Sequence, residues 1–250
     1  MKQKLTRADK SHIAYIHVKG NKNLCVLYLH GLLSSQESKR ADIIRACAKG
    51  LGAHYVSLDY TGHGDSSGQP SDFRIGRCLQ DTLDVIGHTA RGMPLLVVGH
   101  SLGGLIAFLL AERRPRQVLG VLGIAAGIDC MDYIWKRWIP WYGKVALLCG
   151  KVLGPNAMTK GYCFSYPMFL DAARYRLLNK RVAYDGDVVL MCGDKDNIIS
   201  WQHVLKLKDT LTSPHIKFCL IKGGSHRLNT PENLNALKQA LIAMHRRITK

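Results

Sequence analysis

The pentapeptide Gly99-His100-Ser101-Leu102-Gly103 carries the densest chemistry in this 250-residue chain. It follows an apolar run, Leu95-Leu96-Val97-Val98, that reads as a buried strand. It precedes Gly104-Leu105-Ile106-Ala107-Phe108-Leu109-Leu110-Ala111, which reads as a buried helix. Strand, Gly-x-Ser-x-Gly and helix in that order make a nucleophile elbow. On so sharp a turn, side chains two residues either side of the serine would clash, which accounts for glycine at 99 and 103. The turn pushes the Ser101 hydroxyl clear of the backbone. It also sets it at the amino end of a helix, whose dipole favours developing negative charge.

A serine hydroxyl is a poor nucleophile at neutral pH. It needs a base, and the base needs an orienting carboxylate. The acid expected here is Asp196, in Gly193-Asp194-Lys195-Asp196-Asn197-Ile198-Ile199, directly after a buried strand. Gly193 lets the chain turn off the sheet, and the carboxylate three residues later can point back to the site. Asp194 shares the loop as the alternative, and it reads better as a turn-capping side chain. Asp171, Asp185 and Asp187 precede the strand. The expected base is His226, in Gly223-Gly224-Ser225-His226-Arg227, where small neighbours let an imidazole approach a crowded site. His203 and His245 read as helix-face residues, and His215 lies beside a proline at the start of a strand.

A tetrahedral oxyanion needs two backbone donors. The expected pair is the amide of Leu102, next to the nucleophile, and that of Leu32 in His30-Gly31-Leu32, at the end of another strand. His30 and His63 read as structural, and Cys192, inside an apolar strand, as core. No His, Cys or carboxylate cluster has metal-ligand spacing, so no metal or other cofactor is expected.

The elements that must hold these groups read in alternation. Strands are expected at His12–Val18, Leu24–Leu29, Tyr55–Leu58, Leu95–Val98, Val118–Ile124, Val188–Cys192 and Ile216–Ile221. Helices are expected from Lys39 to Gly50, with Gly50 as the stop, and from about Ile75 to Ala90. A closing helix is capped by Thr230, with Pro231 at its first position. Buried strands alternating with helices imply a mostly parallel sheet covered on both faces, and one α/β domain over residues 1–250. Residues 127–187, approximately, break the rhythm and read as a small helical cap over the carboxyl ends of the strands. Within it, Trp135, Trp138 and Trp141 line an acyl pocket, sit at a lipid interface beside their basic neighbours, or pack the cap onto the sheet.

Hydrophobic content of 47% and charged content of 21% fit a globular protein with one large core. The eight cysteines are scattered without a Cys-x-x-Cys pair, as reduced core cysteines are. This points to a reducing compartment: the cytoplasm, or the mitochondrial matrix for a processed chain. No apolar stretch reaches the roughly 18 residues of a spanning helix, and the first residues hold no secretory h-region. The net charge of +17 is spread along the chain. It reads as a solvated surface or as attraction to an anionic membrane. No nucleic-acid-binding motif accompanies it.

Leu58-Asp59-Tyr60-Thr61-Gly62-His63-Gly64-Asp65-Ser66-Ser67-Gly68, Gly103-Gly104 after the serine, Trp201 and Ser225-His226-Arg227 resemble one branch of the α/β-hydrolase superfamily. That branch is the mycophenolic-acid acyl-glucuronide esterase and palmitoyl-protein thioesterase family with its bacterial relatives. Ile13-Ala14-Tyr15 and Val18-Lys19-Gly20 are similar as well. The resemblance implies an α/β-hydrolase fold, a triad of Ser101, Asp196 and His226 in the superfamily's chain order, and hydrolysis of acyl esters or thioesters on small molecules or acyl-proteins. The chain departs from the pattern at Ile199-Ser200-Trp201, where a proline usually precedes the tryptophan. The competing expectations are a non-catalytic fold that binds an acyl ligand or membrane, and lipase or peptidase action on the same scaffold.

Overall fold

The computed structural model describes residues 2–155 and 162–249. Eight strands form one sheet in the order β1-β2-β4-β3-β5-β6-β7-β8. They are β1 (Lys2–Thr6), β2 (His12–Val18), β3 (Cys25–Leu29), β4 (His54–Leu58), β5 (Leu95–His100), β6 (Val118–Ile124), β7 (Asp187–Gly193) and β8 (Ile216–Ile221). β1 and β2 join antiparallel, and from β4 to β8 all pairings are parallel. Strands β3, β5 and β7 are buried along their whole length, as a parallel sheet covered on both faces requires. Chain order reverses between β3 and β5, and a crevice opens at such a switch point beyond the strands' carboxyl ends.

On one face, α1 (Lys39–Leu51) and α9 (Pro231–Ile248) cover Val26, Tyr28, Leu96, Val98 and Leu122. On the other lie α2 (Ile75–Thr89) and α3 (Leu102–Arg113). α3 is buried from Leu102 to Ala111, which is why it is apolar all round. Helix ends follow local chemistry. Ser38 Oγ accepts from the Ala41 amide at the start of α1, and Thr230 Oγ1 accepts from the Asn233 amide at the start of α9. The stop expected at Gly50 falls at Gly52 instead. The latter holds φ +71 and bonds back to Ala48 and Lys49, whereas Gly50 lies inside the helix. α9 is further tied by Arg247, whose guanidinium meets Asp187 at 2.7 Å.

Between β6 and β7 the chain forms α4 (Cys130–Arg137), α5 (Trp141–Leu148) and α6 (Tyr166–Ala172), with no named strand among the described residues. Residues 156–161 of the expected cap lie outside the described residues. Two short helices, α7 (Trp201–Leu205) and α8 (Leu207–Thr210), precede β8. No helix of the described residues is long and apolar enough to cross a membrane. All eight cysteines are free.

Candidate active site

Four loops at the carboxyl ends of β3, β5, β7 and β8 deliver the candidate groups. Ser101 takes φ +51 between β5 and α3, a conformation costly for a residue with a side chain. The elbow is held by close backbone approach. A Cβ on Gly99 would fall on the Gly103 carbonyl, and one on Gly103 on the Leu29 carbonyl. Neither obstacle is a flexible side chain, so the backbone itself must yield. Gly103→Ala is therefore expected to cost about 3 kcal/mol, lowering the melting temperature by about 10 °C. Gly87→Ala makes the contrast in the same thermal scan. Gly87 lies inside α2 with open space where its Cβ would go, so alanine there should raise stability by up to about 1 kcal/mol.

The structure brings the three expected polar groups together. The Ser101 hydroxyl is 3.0 Å from His226 Nε2, and His226 Nδ1 is 2.8 Å from Asp196 Oδ2. The carboxylate fixes the tautomer: Nδ1–H donates to it, leaving Nε2 to accept from the serine. The Asp196 side chain is fully buried. Its other oxygen accepts from the Ile198 and Ile199 amides, both at 2.8 Å, so the loop clamps the carboxylate. Asp194 points elsewhere and accepts from the Gly223 amide at 2.6 Å, stapling the β7 and β8 loops. His203 donates to the Ile128 carbonyl, away from the serine. Cys192 is buried, and burial pushes its thiol up to about 12, so it stays protonated.

No described backbone hydrogen bond uses the amide of Leu32 or of Leu102. Both residues line the space around Ser101. The Leu32 loop is pinned from behind by Asp59, which accepts from the Gln36 amide at 2.7 Å and the Gln36 side chain at 3.0 Å. His30 sits beneath this loop and donates Nδ1–H to the Gly31 carbonyl at 2.7 Å. His63 packs against His30 and Phe73.

His100, the variable residue inside the elbow motif, was not singled out by sequence reasoning. Its Nε2–H donates to the His226 carbonyl at 3.1 Å, tying the elbow to the loop that carries His226. Only its position beside Ser101 hinted at this. Burial, with Arg40 and His226 nearby, holds its ring well below the ordinary histidine range, and burial pushes His30 down to about 3. Both rings stay neutral in the folded protein, while the unfolded chain titrates near 6.5. Below that pH the unfolded state binds more protons, so stability falls with pH, for His30 until about 3. Each pH unit in the window costs about 1.4 kcal/mol per such histidine. Urea unfolding at pH 5.5 should give a free energy lower by at least about 1 kcal/mol than at pH 7.5; a flat profile would exclude neutral burial.

A narrow apolar cavity of about 30 Å³ lies against Ser101, walled by Leu32, Phe73, Met131, Ile134, Trp138 and Ile199. Of the three tryptophans left open among pocket, lipid interface and cap packing, Trp138 lines the cavity. Trp135 packs against Phe169, the rings tilted at 59° with centroids 4.8 Å apart, joining α4 to α6. Trp141, beyond Pro140 on a separate helix, is 76% exposed. A helical turn and a proline thus point three neighbouring indoles in three directions.

The alpha/beta hydrolase fold family matches residues 25–158, more than half of the chain and including the elbow. The chain belongs to the alpha/beta hydrolase family. Over 235 residues the hydrolase is 29% identical to palmitoyl-protein thioesterase ABHD10, mitochondrial, of Rattus norvegicus, covering 93% of this chain and 78% of that protein. It is 29% identical to monoglyceride lipase of Mus musculus over 127 residues, covering 48% of this chain and 41% of the lipase. The solved structure of alpha/beta hydrolase domain-containing protein 10 from mouse superposes with a TM-score of 0.88 at 25% identity, covering 99% of both chains. This hydrolase is thus related to a thioesterase and to lipases.

Proposed function

We propose that this hydrolase cleaves carboxylic esters or thioesters through Ser101, Asp196 and His226. The observation that carries this reading is the unbroken hydrogen-bond chain from the serine hydroxyl through the imidazole to a clamped, buried carboxylate. His226 Nε2 takes the hydroxyl proton as Ser101 Oγ bonds to the acyl carbon. The carbonyl electron pair moves onto oxygen, where the Leu32 and Leu102 amides hold it. As the carbonyl re-forms, the bond to the leaving alcohol or thiol breaks, and His226 returns the proton to it. Water then attacks the acyl-Ser101 intermediate with His226 again as base, and the acid and free serine result. Asp196 keeps the ring oriented and stabilises its cationic form throughout.

The acyl group occupies the apolar cavity beside Trp138. At about 30 Å³ that cavity has room for a water or two. Longer chains therefore require α4 to move, and residues 127–187 act as the cap that does so. The likeness to the thioesterase ABHD10 favours acyl-proteins or small acyl thioesters as substrates. A reducing compartment suits the free cysteines, whether cytoplasm or, by that likeness, the mitochondrial matrix. Labelling with a fluorophosphonate probe, read by peptide mass spectrometry, tests the reading: the probe should be found on Ser101. Absence of label on folded protein sinks it in favour of a non-catalytic binder.

Trp141, Tyr142, Val145, Leu148 and Val152 are exposed along α5 and just beyond, with the exposed Lys151 beside them. On a chain of net charge +17 this favours peripheral contact with an anionic bilayer over self-association. Co-sedimentation with vesicles containing phosphatidylserine should fall several-fold for Trp141→Ala, whereas equal binding to neutral and anionic vesicles would exclude it.

A further inference from the structure

Two cavities meet at Ser101. The narrow apolar one shares wall residues with a wider cleft of about 510 Å³. Among the described residues those shared are Leu32, Ser101 and Tyr162. The first two are the oxyanion donor and the nucleophile of the proposed reaction, so the acyl carbon lies where the cavities join. Tyr162 comes from the cap and takes no part in that reaction, yet it stands at the same junction. His226 is in the wall of the wide cleft alone, and Phe73, Met131 and Ile134 are in that of the narrow cavity alone. The leaving group takes its proton from His226, so it departs into the wide cleft, while the acyl chain runs into the apolar cavity.

The Tyr162 ring is held from behind. Buried Phe164 exchanges two backbone hydrogen bonds with Leu153, both at 2.9 Å, which joins two arms of the cap. Tyr162 stacks on Phe164, the rings 20° from parallel with centroids 5.9 Å apart. It also meets Trp138, just beyond α4, at 5.8 Å. Phe164 reaches Phe169 on α6 at 5.8 Å, and Phe169 returns to Trp135 on α4. The contacts close on themselves, from α4 through Tyr162 and α6 back to α4, with every pair in the range where aromatic rings attract. A ring caught in such a circuit is a fixed wall. Burial pushes its phenol up, so it meets an acyl chain as a neutral group. We propose that Tyr162 sets the acyl-chain limit: its ring divides the apolar cavity from the wide cleft and stops a longer chain from bending across. This rests on Ser101 being the nucleophile and on the acyl group entering the apolar cavity. With the ring gone, the two spaces join beside the acyl carbon, and a longer chain is admitted without any movement of α4.

The test is a series of thioesters with one uncharged leaving thiol, N-acetylcysteamine, and acetyl, butanoyl or octanoyl as the acyl group. Wild type should hydrolyse the octanoyl member with kcat/KM about 10- to 100-fold below the butanoyl one, as forcing extra methylenes into a filled site does. Tyr162→Ala should bring the two within about threefold of each other, because deleting the ring removes that overpacking. Tyr162→Phe keeps the ring and should keep the wild-type ratio. Phe164→Leu loosens the aromatic circuit, and Phe164 lines neither cavity, so this variant should also keep the wild-type ratio. A wild type indifferent to chain length, or a limit that survives Tyr162→Ala, overturns the proposal. A loss equal for all three acyl groups overturns it too, because it assigns Tyr162 to holding the cap. So does an equal relaxation in Phe164→Leu, which would assign the effect to a loose cap. Should Tyr162→Ala fail to fold, Tyr162→Leu, with its shorter apolar side chain, carries the test. Fluorophosphonate labelling of Ser101 and turnover of the acetyl thioester report on the parent reading separately. Their absence in wild type strikes that reading, whereas their presence without a chain-length limit strikes Tyr162 alone.

Discussion

Ser101→Ala is expected to abolish fluorophosphonate labelling and to lower kcat on acyl thioesters by about three to six orders of magnitude. The effect is large because the serine acts as one part of a unit. Without Oγ no acyl intermediate forms, and His226 has no hydroxyl proton to take. What survives comes from binding and from the Leu32 and Leu102 amides acting on attack by water. Stability should change little or rise, because alanine drops a single hydrogen bond while keeping the same β-carbon at φ +51. That combination separates a catalytic role from a structural one. A mutant that keeps more than about a tenth of wild-type kcat would remove Ser101 from the mechanism, whatever its distance to His226.

That Ser101, Asp196 and His226 would meet was legible because each follows a strand expected in the sheet. Leu95–Val98 and Val188–Cys192 are apolar on both faces and belong in the middle of a covered parallel sheet. The loops after such strands converge at one end of the sheet. Gly99 and Gly103 announced the elbow, although only Gly99 meets backbone within the motif, at Gly103, whereas Gly103 meets the Leu29 carbonyl of the neighbouring strand. The strand Lys2–Thr6 was not foreseen. It is polar and almost wholly exposed, and only its pairing with β2 makes it a strand. Trp135, Trp138 and Trp141 were left open among pocket, lipid interface and cap packing, because an indole's type predicts burial in general but not which neighbour receives it. Arg40 shows the limit most sharply. In sequence it is an ordinary charge in the first turn of a helix. Its burial depends on the loop at Arg227, 187 residues away, and no local pattern carries that information.

Asp196→Asn should lower kcat by about four orders of magnitude with little change in folding. The substitution is nearly isosteric, so the outcome turns on how the new amide orients. The Ile198 and Ile199 N–H groups point at one carboxylate oxygen. Both are donors, so they draw the asparagine carbonyl toward them and leave its NH₂ facing His226 Nδ1. A donor there demands an acceptor, and the imidazole complies by moving its proton to Nε2. That tautomer presents N–H to the Ser101 hydroxyl and has no lone pair to receive the proton. The reverse orientation would keep the productive tautomer but set an NH₂ against two amide donors in a fully buried place, at a cost of about 1–3 kcal/mol per unsatisfied group. The loop clamp therefore converts a one-atom change into the wrong tautomer. Slow fluorophosphonate labelling of Asp196→Asn, at a melting temperature within a few degrees of wild type, is the expected result. Wild-type labelling would mean that Asp196 does not control the ring, and Asp194, whose carboxylate now staples Gly223, would have to be tested in its place.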